Sequence, residues 1–302
     1  MKTLPPEWAS LYPFQARSKQ LSCGQGMSYV DEGSGHPVIM VHGNPTWSFY
    51  YRNVILKLKE TNRCIAVDHI GCGLSDKPKA KEYPFTIDQR IKDLGELVDS
   101  LELESFDLIV HDWGGVIGLG MALERFKKLR RVILLNTAAF IDSRIPASIA
   151  LCRAPLLGKL IVKGFNGFAG PAVKMSMSKN KLSPEAKAGM LYPYRTWNDR
   201  EAVYQFVQDI PMHVSHPSYD SLVKIEDALL KLRERDVTIL WGGKDFCFND
   251  HFLDRWKRFL PEATAIRYPD CGHYILEDET EPVCEAIYQA VSYEGRNLDP
   301  ET

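Results

Sequence analysis

The residues of this chain whose types and order could do chemistry together are Asp112, Asp245 and His273. Asp112 stands in Val110-His111-Asp112-Trp113-Gly114-Gly115, after the apolar run Phe106–Val110 and before the helix-forming stretch Val116–Glu124. A strand, a sharp turn eased by glycines and a helix together present one side chain as an exposed nucleophile. The usual pattern has Ser at the exposed place and a small residue where Val110 stands. Taken singly, an Asp there is more often a helix N-cap. The order of the other two residues decides for catalysis, because Asp245 and then His273 each follow a predicted strand end, giving nucleophile, acid and base in that sequence. His273, in Asp270-Cys271-Gly272-His273-Tyr274, is the expected base, and Asp245, just past Gly242-Gly243, the carboxylate that orients it. Two rivals to Asp245 exist. Asp250 is close by, and Asn136 ends an earlier strand but is neutral and cannot stabilise an imidazolium. Cys271 is too near His273 on the same loop to face it.

A carboxylate in place of Ser changes the reaction class. It can displace a leaving group from saturated carbon and leave an alkyl ester on the enzyme. Ser would leave an ether, which water activated by His cannot readily cleave. The ester is hydrolysable at its carbonyl, given donors for the oxyanion. The backbone N–H groups of Asn44 and Trp113 are the expected donors.

The elements that must position these groups are short apolar strands separated by helical stretches. Met27–Asp31 reads as an antiparallel strand. Pro37–Val41, Arg63–Val67, Phe106–Val110, Val132–Leu135, Val237–Trp241 and Ala263–Tyr268 read as buried ones. Runs of this kind indicate a mostly parallel sheet with helices on both faces, whose site lies at the carboxyl ends of the strands. The alternation breaks over residues 136–218, which are rich in Arg, Pro, Gly and aromatics, among them Phe165, Phe168, Tyr192, Tyr194 and Trp197. The expectation is an α/β-hydrolase fold with a core formed by residues 1–135 and 219–302 and a helical cap, 136–218, inserted over the site. The polar tail Glu294–Thr302 is expected to be loosely held.

Three stretches, His42-Gly43-Asn44-Pro45-Thr46-Trp47-Ser48, His111-Asp112-Trp113-Gly114-Gly115 and the spacing on to Asp245 and His273, resemble the haloalkane dehalogenases over nearly the whole chain. The resemblance implies that the Asn44 and Trp113 side chains donate N–H bonds to a departing halide, a role that uncharged amide and indole donors suit. Singly, Asn44 would be a turn residue and Trp113 a core aromatic. Asn136 departs from the branch of that family with a carboxylate at its place. The stretches Asn136-Thr137-Ala138-Ala139-Phe140, Arg144-Ile145-Pro146 and Phe206-Val207-Gln208-Asp209-Ile210-Pro211 look like the third dehalogenase subfamily, and are also similar to the β-lactone decarboxylases of bacterial olefin synthesis. Homo-oligomers and weak dehalogenation are implied by that likeness. The leading expectation is a haloalkane dehalogenase, with a β-lactone decarboxylase as the alternative. An epoxide hydrolase comes third, and would need two cap tyrosines from Tyr192, Tyr194, Tyr204 and Tyr219 as ring-opening acids. A non-catalytic binding protein is disfavoured by the intact triad.

Composition narrows the partners. The chain has 302 residues, a formal net charge of -2 and no long run of one sign, so a nucleic-acid partner is not expected. The expected partner is a small hydrophobic organic substrate. The seven cysteines are scattered without a CxxC pair, so no zinc site or redox dithiol is expected, and neither is any other metal or cofactor. No secretory leader and no membrane-spanning run is read, so the expected location is cytoplasmic. Gly71-Cys72-Gly73-Leu74-Ser75-Asp76-Lys77-Pro78 lacks both nucleotide-loop spacings and reads as a structural turn.

Overall fold

A computed structural model of the chain describes Trp8 and residues 10–292; the tail Glu294–Thr302 lies outside the described residues. Eight strands, β1 to β8, form one sheet in the order β1-β2-β4-β3-β5-β6-β7-β8. They are Ala16–Gln20, Gly26–Glu32, His36–Val41, Asn62–Val67, Phe106–Asp112, Leu129–Thr137, Asp236–Gly242 and Thr264–Tyr268. β1 and β2 pair antiparallel, as do β2 and β4, and all other neighbours are parallel. The sheet and its class agree with the reading of the sequence. β1 had escaped it because Ala-Arg-Ser-Lys-Gln has no apolar alternation, and a polar, charged edge strand is how sheets avoid pairing with other chains.

The apolar strands are covered on both faces, and successive residues divide between two cores as the pleat requires. Ile39, Val41, Leu108 and Val110 join one core with Leu94 and Ile117. These last two come from helices α2 (Ile87–Ser100) and α3 (Gly114–Glu124). Val38, Met40 and Ile109 join the other with Val54 and Ile287. That face is covered by α1 (Arg52–Leu58) and, near the chain's end, by the helix Thr280–Ser292.

Between β6 and β7 the chain runs through α4 (Ala147–Arg153), α5 (Leu157–Lys159), α6 (Ala169–Met175), α7 (Pro184–Leu191) and α8 (Glu201–Gln208), then α9 (Tyr219–Ala228). Cys152, Val162, Ala169, Tyr194, Val203 and Val207 pack into a small core of their own in this segment. Two boundaries differ from expectation. β6 continues through Asn136 and Thr137, two residues into the stretch assigned to the insertion, and α3 begins at Gly114 rather than Val116.

α8 is fastened to the sheet's helical layer by a buried cation. The Arg90 guanidinium of α2 lies 3.5 Å from the centroid of the Phe206 ring, and that ring tilts against Trp113 at 5.3 Å. At the end of α8, Asp209 accepts a 2.6 Å hydrogen bond from the Ser218 hydroxyl, and its second oxygen is buried without a partner. Burial pushes this carboxyl from 3.8 up to about 6, against the opposing pull of Ser218 and Arg90. A carboxyl with a raised folded pKa stabilises the fold while protonated, and that contribution is lost as pH rises from about 4 to about 6. Asp209→Asn keeps the shape and never ionises. Its stability should therefore rise relative to the parent across that window, by at most about 3 kcal/mol. Melting temperatures measured from pH 4 to pH 7 check this; a constant offset would show that Asp209 does not titrate there.

Candidate active site

Each residue singled out from the sequence sits at the carboxyl end of a parallel strand. Asn44 follows β3, Asp112 ends β5, Asn136 is the next-to-last residue of β6, Asp245 follows β7 and His273 follows β8. Because β3, β5, β6, β7 and β8 are consecutive in the sheet, these ends form one row.

The turn at Asp112 is tight. Asp112 has φ of 52°, in the left-handed region that side chains seldom adopt. The space around it exists only because glycines surround it. A Cβ on Gly43 would lie 2.0 Å from Asp112 Oδ1, and one on Gly114 would lie 1.9 Å from the Val41 carbonyl. The Thr137 hydroxyl donates to the Asp112 carbonyl and pins the turn to β6. The sequence reading did not assign Thr137, and its only signal was a hydroxyl at a strand end.

The Asp112 carboxylate is buried. Its Oδ1 accepts the Asn44 backbone N–H at 2.6 Å, and the Trp113 backbone N–H also bonds the carboxylate. These are the two donors expected for an oxyanion. Burial raises the Asp112 carboxyl above its ordinary range, while His273 and the two backbone donors hold it down without cancelling the rise. His273 Nε2 stands 3.7 Å from Asp112 Oδ2, and His273 Nδ1 is 2.7 Å from Asp245 Oδ2. The short contact places a proton on Nδ1 and leaves Nε2 as the basic atom facing Asp112. Burial pulls the His273 pKa down, but the charge and hydrogen bond of Asp245, with the charge of Asp112, outweigh it and leave it raised above 6.5. Asp245 is itself fixed, because its Oδ1 accepts from the backbone of Cys247 at 2.7 Å and of Phe248 at 3.0 Å.

The rivals of Asp245 have other partners. Asp250 pairs with Arg267 in a half-exposed salt bridge. The buried Asn136 amide accepts from the Gly242 N–H at 2.7 Å and donates to the Gly242 carbonyl at 3.1 Å, joining β6 to the end of β7 from which Asp245 hangs. A buried pair of histidines supports the opposite side. The His69 backbone N–H donates to His42 Nε2 at 3.0 Å, so the proton of His42 is on Nδ1 and donates to the Gly43 carbonyl at 2.7 Å. Burial drives His42 down to about 3, so it remains neutral while it holds the Gly43-Asn44 turn. His111 Nε2 lies 2.9 Å from the His273 carbonyl and ties β5 to the loop that carries His273.

A cavity of about 890 Å³, including its open mouth, leads to Asp112. Asn44 and Trp113 line it beside Asp112, and Phe140, Ile149, Phe168, Val207, Phe248 and Phe252 are among its apolar walls. The Asn44 side-chain NH2 gives one hydrogen to the Val203 carbonyl at 3.2 Å, leaving the other for a ligand. Arg144 and Asp142 also line the cavity, and the Asp142 carboxylate is held by His251 at 2.8 Å. None of Tyr192, Tyr194, Tyr204 and Tyr219 is in the lining. Tyr194 instead donates to the Thr46 carbonyl at 2.9 Å. The ring-opening acids an epoxide hydrolase would need are absent from this cavity.

The pattern described as the alpha/beta hydrolase fold matches residues 36–156. The chain is 43% identical to the cis-3-alkyl-4-alkyloxetan-2-one decarboxylase of Shewanella oneidensis, over 87% of this chain and 84% of the relative. It is 30% identical to haloalkane dehalogenase 2 of Mycobacterium bovis, over 92% and 96%. The crystal structure of the haloalkane dehalogenase DbeA from Bradyrhizobium elkani superposes with a TM-score of 0.81 over 91% of this chain and 96% of that one, at 22% identity. The fold, the row of strand ends and these likenesses agree: the chain is an α/β-hydrolase-fold enzyme and belongs to the family that unites the haloalkane dehalogenases with the cis-3-alkyl-4-alkyloxetan-2-one decarboxylases.

Proposed function

We propose that this enzyme opens and decarboxylates cis-3,4-dialkyl β-lactones, with Asp112 as nucleophile, His273 as its charge partner, and Asp245 as the residue that orients His273. The observation that carries this reading is the 43% identity to a decarboxylase acting on such lactones, against 30% to a dehalogenase. The site's chemistry supports it. Asp112 attacks the ring carbon bonded to the ring oxygen, and that carbon–oxygen bond breaks as the Asp112 ester forms. The leaving group is the lactone's own carboxylate, which in this reading accepts from the second Asn44 amide hydrogen and the Trp113 indole N–H. The bond from the adjacent carbon to this carboxylate then supplies the electrons of a new C=C bond. Carbon dioxide departs and Asp112 leaves as the free carboxylate. Atoms and charge balance without water. Inversion at the attacked carbon followed by anti elimination keeps the two alkyl groups cis. The helical segment 136–218 acts in this reading as the cap, its apolar side chains taking up the alkyl arms.

Dehalogenation is the second reading, favoured by the Asn44 and Trp113 pair beside the nucleophile. There the ester must be hydrolysed by water that His273 activates, and Asn44 and Trp113 backbone N–H groups receive the oxyanion.

The two reactions leave different traces in Asp112. Hydrolysis at the ester carbonyl puts a solvent oxygen into the carboxylate, whereas elimination returns Asp112 with its own oxygens. After many turnovers of a cis-dialkyl β-lactone in oxygen-18 water, the peptide containing Asp112 should be unlabelled by mass spectrometry, while turnover of a 1-bromoalkane should label it. The same preparation should form alkene, seen by gas chromatography, with a higher specificity constant than bromide, seen by ion chromatography. Strong bromide release with no alkene would overturn the proposal.

Hydrolytic release of an alkyl group needs neutral His273, whose pKa is raised above 6.5 chiefly through Asp245. Bromoalkane turnover should accordingly fall as pH drops through a limb above 6.5. In Asp245→Asn the limb should move to lower pH and the plateau fall by about two to four orders of magnitude. An unchanged limb would separate Asp245 from the base.

A further inference from the structure

Away from the cavity, five of the exposed large apolar side chains fall in one short stretch. Leu151, Leu156, Leu157, Leu160 and Phe165 are 51, 84, 50, 48 and 77% exposed. The Leu160 N–H bonds the Leu156 carbonyl and the Phe165 N–H bonds the Leu160 carbonyl, so these residues succeed one another along one helical stretch. Leu160 and Trp197 flank Gly164 closely enough that a Cβ there would lie 3.0 Å from one and 3.4 Å from the other, which extends the ridge to the 42% exposed Trp197. Single exposed leucines are ordinary, but a run of neighbours marks a contact surface. Leu156, the most exposed, holds φ of 58°, a conformation unfavourable for leucine that gains no burial within this chain.

Charge separates this stretch from the rest of the molecule. Residues 143–184 contain seven Lys and Arg and no Asp or Glu, while the rest of the chain has thirty of the former and thirty-nine of the latter. Lys163 pairs with Glu201 and Lys179 with Glu279, and Arg153 donates to the Val207 and Ile210 carbonyls. Lys159, inside the ridge, and Lys174 and Lys181 are exposed and pair with no carboxylate among the described residues. The acids closest in the packed elements are Glu201, held by Lys163, and Asp199, which accepts the Thr196 N–H. The same segment supplies Ile145, Ile149 and Phe168 to the cavity wall, so its outer side carries the ridge and its inner side meets the substrate space.

We infer that this ridge docks the enzyme on an anionic lipid surface, with Leu156, Leu157, Leu160 and Phe165 entering the boundary between headgroups and acyl chains and Lys159 lying among the headgroups. Protruding apolar side chains around the unpaired Lys159, on a segment with no acidic residue, suit an interface of that kind. A second copy of the chain fits less well, because a two-fold contact here would set Lys159 near its own equivalent. The inference stands on the surface and not on the reaction, so vesicle binding and lactone turnover succeed or fail separately.

Flotation of the full chain with large unilamellar vesicles tests it. The chain should float with phosphatidylcholine vesicles containing phosphatidylglycerol at an affinity more than about tenfold above that for phosphatidylcholine alone. Replacing Leu156, Leu160 and Phe165 together by Ser should abolish flotation while leaving the melting temperature and turnover of a short, soluble substrate unchanged, because none of the three lines the cavity. Lys159→Glu should lower binding to the anionic vesicles without affecting the residual binding to neutral ones. Failure of the parent chain to float would overturn the inference, as would a triple variant that floats equally well. So would a ridge whose replacement only lowers the mass seen by sedimentation, since that result assigns the face to contacts between copies.

Discussion

A carboxylate must remain charged and reactive where water is largely excluded, and most of what surrounds Asp112 follows from that requirement. Burying an ion is costly unless hydrogen bonds and a countercharge replace its hydration. Here the replacement consists of the Asn44 and Trp113 backbone N–H groups, which fit only because Gly43 and Gly114 let the chain come so close. The third element, His273, stands at 3.7 Å rather than in hydrogen-bond contact. At that spacing the charge of His273 moderates the raised pKa of Asp112. A closer imidazole would stabilise the anion further and make it a poorer nucleophile.

Supports of the site therefore serve placement more than charge. His42 is kept neutral by burial, so it can hold the Gly43 carbonyl without adding a cation near Asp112. Asn136 does similar work for Asp245 through the Gly242 backbone. A carboxylate at position 136 would add a second negative charge beside Asp245 in the same buried row, whereas an amide supplies both a donor and an acceptor with none.

The residues singled out for chemistry were legible in the sequence because each obeys a local rule. Asp112 sits between an apolar run and glycines, Asp245 follows a glycine turn, and His273 follows the last strand. The parallel sheet was legible for the same reason, since strands buried on two faces need no polar alternation. What escaped depended on contacts distant in sequence. Thr137 matters only because β6 lies beside β5, and Arg90 only because α8 lands on it. β1 escaped because its pairing comes from an edge and not from its side chains. The apolar stretch Leu156–Phe165 was readable as composition, but only the fold shows how far its side chains stay exposed among the described residues.

The Asp112–His273 contact joins residues that the ribosome delivers far apart in time. When Asp112 emerges, β3, β4 and β5 can already pair, and the elbow can close upon Asn44. His273 arrives only after the whole segment between β6 and β8 has been made, on the loop after a strand that pairs with β7 at the edge of the sheet. Until β6 and that loop are in place, the Asp112 carboxylate lacks the Thr137 pin on its turn and the imidazole beside it. The row of strand ends is complete only when the last strand is in place.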